Sequence, residues 1–124
     1  TVFVGDRTGI TARGRRRLLA PARLDGLAAR RTTELAWRPN PRAGFYNVQL
    51  FRARVVKGDV VRRLVVSAFP RRPRQTIPGR LLHPGVYHLV VWSGLRAGER
   101  PAYARKPWIV VALEVAPRRR DASG

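Results

Sequence analysis

Apolar and polar residues alternate along most of this chain, and glycine, proline and other turn formers break the alternation roughly every 8 to 12 positions. Alternation at period two puts successive side chains on opposite faces of an extended strand. A chain written this way buries its apolar set by pairing strands and covering one face of each. Helical spacing appears only weakly, over residues 18–29, where Pro21 and Gly26 interrupt it.

Thr33 to Arg38 alternates, with Leu35 and Trp37 on one face, and Pro39-Asn40-Pro41 ends it. Phe45 to Arg54 is a second such segment, with Tyr46, Val48 and Leu50 on one face and Asn47 and Gln49 on the other. Lys57-Gly58-Asp59 is a hairpin turn in which the glycine supplies a positive φ. Val60 to Phe69 returns from it, and a short strand follows around Arg74 to Ile77. Val86 to Trp92 sets Tyr87, Leu89 and Val91 against His88, Val90 and Trp92. Pro107 to Val115 is almost continuously apolar, as a strand covered on both faces is. With one more strand between Leu19 and Ala28, about seven strands and no convincing helix predict an all-β fold, a two-sheet antiparallel β-sandwich. At 124 residues the chain is long enough to build such a core without staples, and it has no cysteine to make any.

Four segments in order resemble a fibronectin type III domain, an immunoglobulin-like sandwich. They are Leu19-Ala20-Pro21-Ala22-Arg23-Leu24, Leu35-Ala36-Trp37-Arg38-Pro39, Tyr46-Asn47-Val48-Gln49-Leu50 and Leu82-His83-Pro84-Gly85-Val86-Tyr87. In that family an Ala-Pro opens the first strand, a tryptophan on the second anchors the core, and a tyrosine marks the third. A Leu-x-Pro-Gly leads into a tyrosine whose hydroxyl pins the corner between sheets. Here one residue fewer than usual separates Pro-Gly from Tyr87, which implies a shortened corner. The resemblance covers residues 19–115 and sets the expected boundaries. Residues 1–17 are an N-terminal strand and linker, 18–116 the domain, and 117–124 a basic tail. Thr1 to Gly9 is similar to the closing strand of a preceding immunoglobulin-like domain, and equally reads as an N-terminal strand of this one. The chain is expected to be a piece of a longer protein.

The family arrangement implies that the third, fourth, sixth and seventh strands share a sheet. Its outward residues then include Asn47, Gln49, Phe51, Val65, His88, Val90 and Trp92. Two aromatics, two amides and little charge, in a chain crowded with arginine, imply a face that binds a partner.

Catalytic groupings do not emerge. Ser67, Ser93 and Ser123 lie in no nucleophile motif, and the seven carboxylates are far apart in sequence. His83 and His88 flank one corner without a carboxylate nearby, so no metal and no cofactor are expected. The formal net charge of +19 comes almost wholly from arginine, since Lys57 and Lys106 are the only lysines. Much of it is scattered singly, as in a chain whose codons favour arginine. The denser runs place Arg62, Arg63, Arg71, Arg72 and Arg74 as candidate polyanion contacts. Lys57-Gly58-Asp59 is also similar to tripeptide loops with which some fibronectin-like modules engage integrins, although a hairpin needs the glycine in any case.

The expected function is that of a non-catalytic structural or protein-interaction module of a larger protein, extracellular or at the cell surface. The alternative is a basic domain that binds nucleic acid or an acidic cell-envelope polymer. The longest uncharged stretch, Leu81 to Leu95, contains Pro84, Gly85 and Gly94 and is too short for a membrane-spanning helix.

Overall fold

The computed structural model describes residues 1–5, 22–97 and 100–117. Among the described residues nine strands carry the fold: β1 (Val2–Val4), β2 (Ala22–Ala28), β3 (Thr33–Trp37), β4 (Ala43–Val56), β5 (Asp59–Ala68), β6 (Arg74–Ile77), β7 (Gly85–Ala97), β8 (Arg100–Tyr103) and β9 (Ile109–Ala116). A single turn of 3-10 helix spans Gly79–Leu81. One sheet has the order β1-β3-β6, and the other runs β2-β9-β7-β4-β5 with β8 paired to β7. The structure is thus an all-β sandwich of two mixed sheets. Pairing is antiparallel except at β1–β3 and β2–β9, where each sheet gains a parallel strand that the alternation pattern did not signal. The seven expected strands are all present, joined by β1 and β8. The segments read as third, fourth, sixth and seventh share the larger sheet as β4, β5, β7 and β9.

Register turns alternation into a core. Leu50 lies opposite Leu89 and Leu89 opposite Val111, while Val48, Val91 and Ile109 form the next row. The smaller sheet closes over these rows with Val2, Val4, Leu35, Trp37 and Ile77. Val2 and Val4 sit opposite Leu35 and Trp37, so β1 belongs to the same core. Of the N-terminal segment 1–17, residues 6–17 lie outside the described residues, as does the tail beyond Pro117.

Trp37 is 1 % exposed and meets Tyr46 of the opposite sheet edge to face, with ring centroids 5.5 Å apart. The Tyr46 hydroxyl accepts the Asn40 N–H at 2.8 Å, which folds the β3–β4 connection onto the ring. Tyr87, at the corner after the helical turn, donates its hydroxyl proton to the Leu81 carbonyl at 3.1 Å and accepts the His83 N–H at 2.9 Å. At the β4–β5 turn, Lys57 and Gly58 both have positive φ, 50° and 81°. That pair matches the right-handed twist of the strands it joins, with the glycine removing the steric cost at one of the two positions. Gly79 is required for another reason: a Cβ there would fall 2.5 Å from the Arg30 carbonyl oxygen.

Truncating Trp37 to alanine should cost about 3–5 kcal/mol, the range for a large buried aromatic. A Trp37→Ala protein melting within a few degrees of wild type would contradict this core. Tyr87→Phe should cost about 1–2 kcal/mol, because two backbone groups lose their partner while the ring stays. The check is a lower urea midpoint at an unchanged m-value.

Candidate interaction surfaces

The outer face of the larger sheet is where the sequence places a partner-binding surface, and the structure divides its residues. Asn47, Gln49, Phe51 and Trp92 are half-buried on that face. The Trp92 Nε1–H donates to Gln49 Oε1 at 3.1 Å, and the Arg62 guanidinium lies over the Phe51 ring, 4.3 Å from its centroid. His88 and Val90, expected to be accessible, are 0 % and 1 % exposed. They sit on the central strand, hemmed by Phe51 and Ala112 in one row and by Gln49 and Val110 in the next, and Ala112 and Val110 are buried too. Covered residues have no surface to offer a partner. Val65 is displaced for a different reason. Leu50 pairs with Val66 and Phe51 with Leu64, so Val65 is the extra residue of a bulge, and it packs against the main core instead of facing outward.

His88 is the most unusual residue of this face. Neither ring nitrogen makes a hydrogen bond with the described residues. Burial, with a further contribution from the positive charge of Arg62, pushes its pKa down to about 4. The imidazole is therefore neutral at physiological pH. His83 is exposed at the corner, and among the described residues no group of three or more His, Cys, Asp or Glu could hold a metal ion. Trp108 packs against the main core. Its Nε1–H donates to the Arg38 carbonyl at 2.6 Å beneath that residue's guanidinium.

The five candidate polyanion contacts form two groups. Arg71 and Arg72 occupy the crossover from β5 to β6 and Arg74 begins β6, all three exposed. The crossover is anchored at both ends: the Pro70 carbonyl accepts the Tyr46 N–H and the Pro73 carbonyl accepts the Trp37 N–H. Arg62 and Arg63 lie near the middle of β5, roughly 15–20 Å from its end at Ala68 at the rise of an extended strand.

A feature that sequence reading did not single out adjoins this second pair. The β4–β7 pairing ends at Ala53, whereas β4–β5 pairing continues to Val56 and Asp59, so a two-stranded ribbon projects past the rest of the sheet. Arg52 lies directly opposite Arg63, and Arg54 is the next residue on that side. Val55, Val56 and Val61 of the ribbon are exposed, as is Leu64 opposite Phe51, Val55 at 52 % and Leu64 at 47 %. The signal was present as arginines and valines mixed on both sides of a Lys-Gly turn, but alternation alone does not show where a sheet ends.

The unfolded chain binds a proton at His88 near pH 6.5 and the folded one only near 4. The stability this residue contributes is thus complete above pH 6.5 and is lost as the pH falls toward 4. The melting temperature should accordingly drop several degrees between pH 7.5 and pH 5, where carboxylates remain ionised. A His88→Leu variant should show a much flatter profile over that interval, and parallel profiles would exclude His88 as the cause.

No family model, curated protein or solved structure matches this chain.

Proposed function

We propose that this chain is a non-catalytic β-sandwich module, resembling a fibronectin type III domain, that serves as a spacer or protein-binding unit of a larger, exported or surface-associated protein. The observation that supports it best is the corner at Tyr87. A hydroxyl that bridges the Leu81 carbonyl and the His83 N–H is the arrangement the family resemblance implies at that residue. The core tryptophan on β3 and the sharing of one sheet by β4, β5, β7 and β9 agree with it. Such modules act through surfaces carried on a rigid frame, which suits a protein whose polar side chains are spread over its exterior.

A second reading, a domain that binds nucleic acid or another acidic polymer, draws support from the exposed arginines of the crossover and of the ribbon. It requires them on one continuous surface, and about half the length of β5 separates the two groups.

Titration with a labelled DNA duplex at physiological salt tests the choice. A module whose arginines are solvating charge should bind no tighter than about 1–100 µM, without regard to base sequence, and lose that binding at moderately higher salt. Submicromolar binding selective for one sequence, abolished in an Arg71→Ser, Arg72→Ser, Arg74→Ser variant, would establish the second reading instead.

A further inference from the structure

An edge strand exposes a row of backbone N–H and C=O groups, and β5 is the edge of the larger sheet: among the described residues it pairs with β4 alone. Ten residues long, it carries Val61 and Leu64 exposed, with Arg62 and Arg63 between them. Charges on an edge strand ordinarily guard against pairing, and here they do so against a second copy of this chain. Two molecules of net charge +19 joined antiparallel at this edge would set arginine against arginine. The guard is one-sided, because the same charges attract an acidic strand. Arg52 and Arg63 already face each other across β4 and β5 without a hydrogen bond or ion pair among the described residues, and like charges in that position repel. A nearby carboxylate turns that repulsion into attraction. A phosphate polymer would serve the guanidinium groups equally well, but it would leave the exposed valines and leucine beside them uncovered.

We propose that the free edge of β5 takes up an acidic, extended segment of a partner protein as an added strand, with neighbouring carboxylates opposite Arg62 and Arg63 and apolar residues opposite Val61 and Leu64. Main-chain hydrogen bonds supply the general affinity of such strand addition, and the alternating side chains supply its register. The inference rests on the protein-binding reading above and names the partner's chemistry.

The test uses the full chain and a short labelled peptide with a Val-Glu-Glu-Val centre in a threonine-rich background, at physiological salt. Its controls are a peptide of the same composition with both glutamates moved to one end, and a DNA duplex. The centred peptide should bind roughly tenfold tighter than the rearranged one, and Arg63→Glu should weaken it by about the same factor at a melting temperature no lower than wild type, since a glutamate opposite Arg52 removes a like-charge pair. On saturation, amide exchange should slow at residues 60–65. Equal binding of the two peptides, failure of the centred peptide to bind, or protection confined to another strand would overturn the strand-addition proposal and leave the module reading standing. Submicromolar, sequence-selective binding of duplex DNA, tighter than that of the centred peptide, would overturn both.

Discussion

Trp37 and Tyr46 meet edge to face across the gap between the two sheets, and the backbone is tied down around that contact. The Trp37 N–H reaches the Pro73 carbonyl and the Tyr46 N–H reaches the Pro70 carbonyl, so the crossover between sheets is stitched to both members of the aromatic pair. The Tyr46 hydroxyl holds the β3–β4 connection by the Asn40 N–H. Two separate chain crossings are thereby fixed by one pair of rings, and the apolar rows of β4, β7 and β9 take their place against Trp37. The Trp37 Nε1–H makes no hydrogen bond among the described residues, so its place in the core rests on packing and not on polar fixation.

The outer face of β7 shows how central position overrides alternation. A residue pointing away from the core on an edge strand meets water. On a strand flanked by β4 and β9 it meets the side chains of both neighbours first. His88 and Val90 are covered for that reason, and the cost falls on His88, a titratable group with neither nitrogen satisfied by the described residues. Its neutral form is the cheaper one to bury, and the adjacent Arg62 charge acts in the same direction. Of the outward residues that the sequence proposed, Asn47, Gln49, Phe51 and Trp92 keep partial access to solvent, and the Phe51 and Trp92 rings are already engaged by Arg62 and Gln49.

Charge is arranged around the frame and not within it. The exposed arginines of the crossover sit where the chain passes between sheets, and Arg54 sits where β4 and β5 outrun their neighbours, with Arg52 and Arg63 just inside that point. The ribbon differs from the crossover in having apolar residues beside its charges and an open backbone edge. A chain this basic resists association with its own copies, so whatever pairs with that edge must bring negative charge.

Period-two alternation by itself determined that the fold is all strand. It also determined that Leu35, Trp37, Tyr46, Val48, Leu50, Tyr87, Leu89 and Val91 face the core, because one-residue registration leaves each strand only two faces. The near-continuous apolar run of β9 likewise declared a strand covered on both sides. Tertiary structure alone decided which outward residues see solvent, since that depends on a strand's neighbours and not on its own pattern. Hence His88 and Val90 are hidden while Val55 and Leu64 are exposed. It decided that Val65 turns to the core, because a bulge is a mismatch between two strands and neither one carries it alone. It decided the parallel pairing of β1 with β3 and of β2 with β9, which joins segments distant in sequence. And it made the ribbon, because β4 is longer than its pairing with β7, a length no local pattern records.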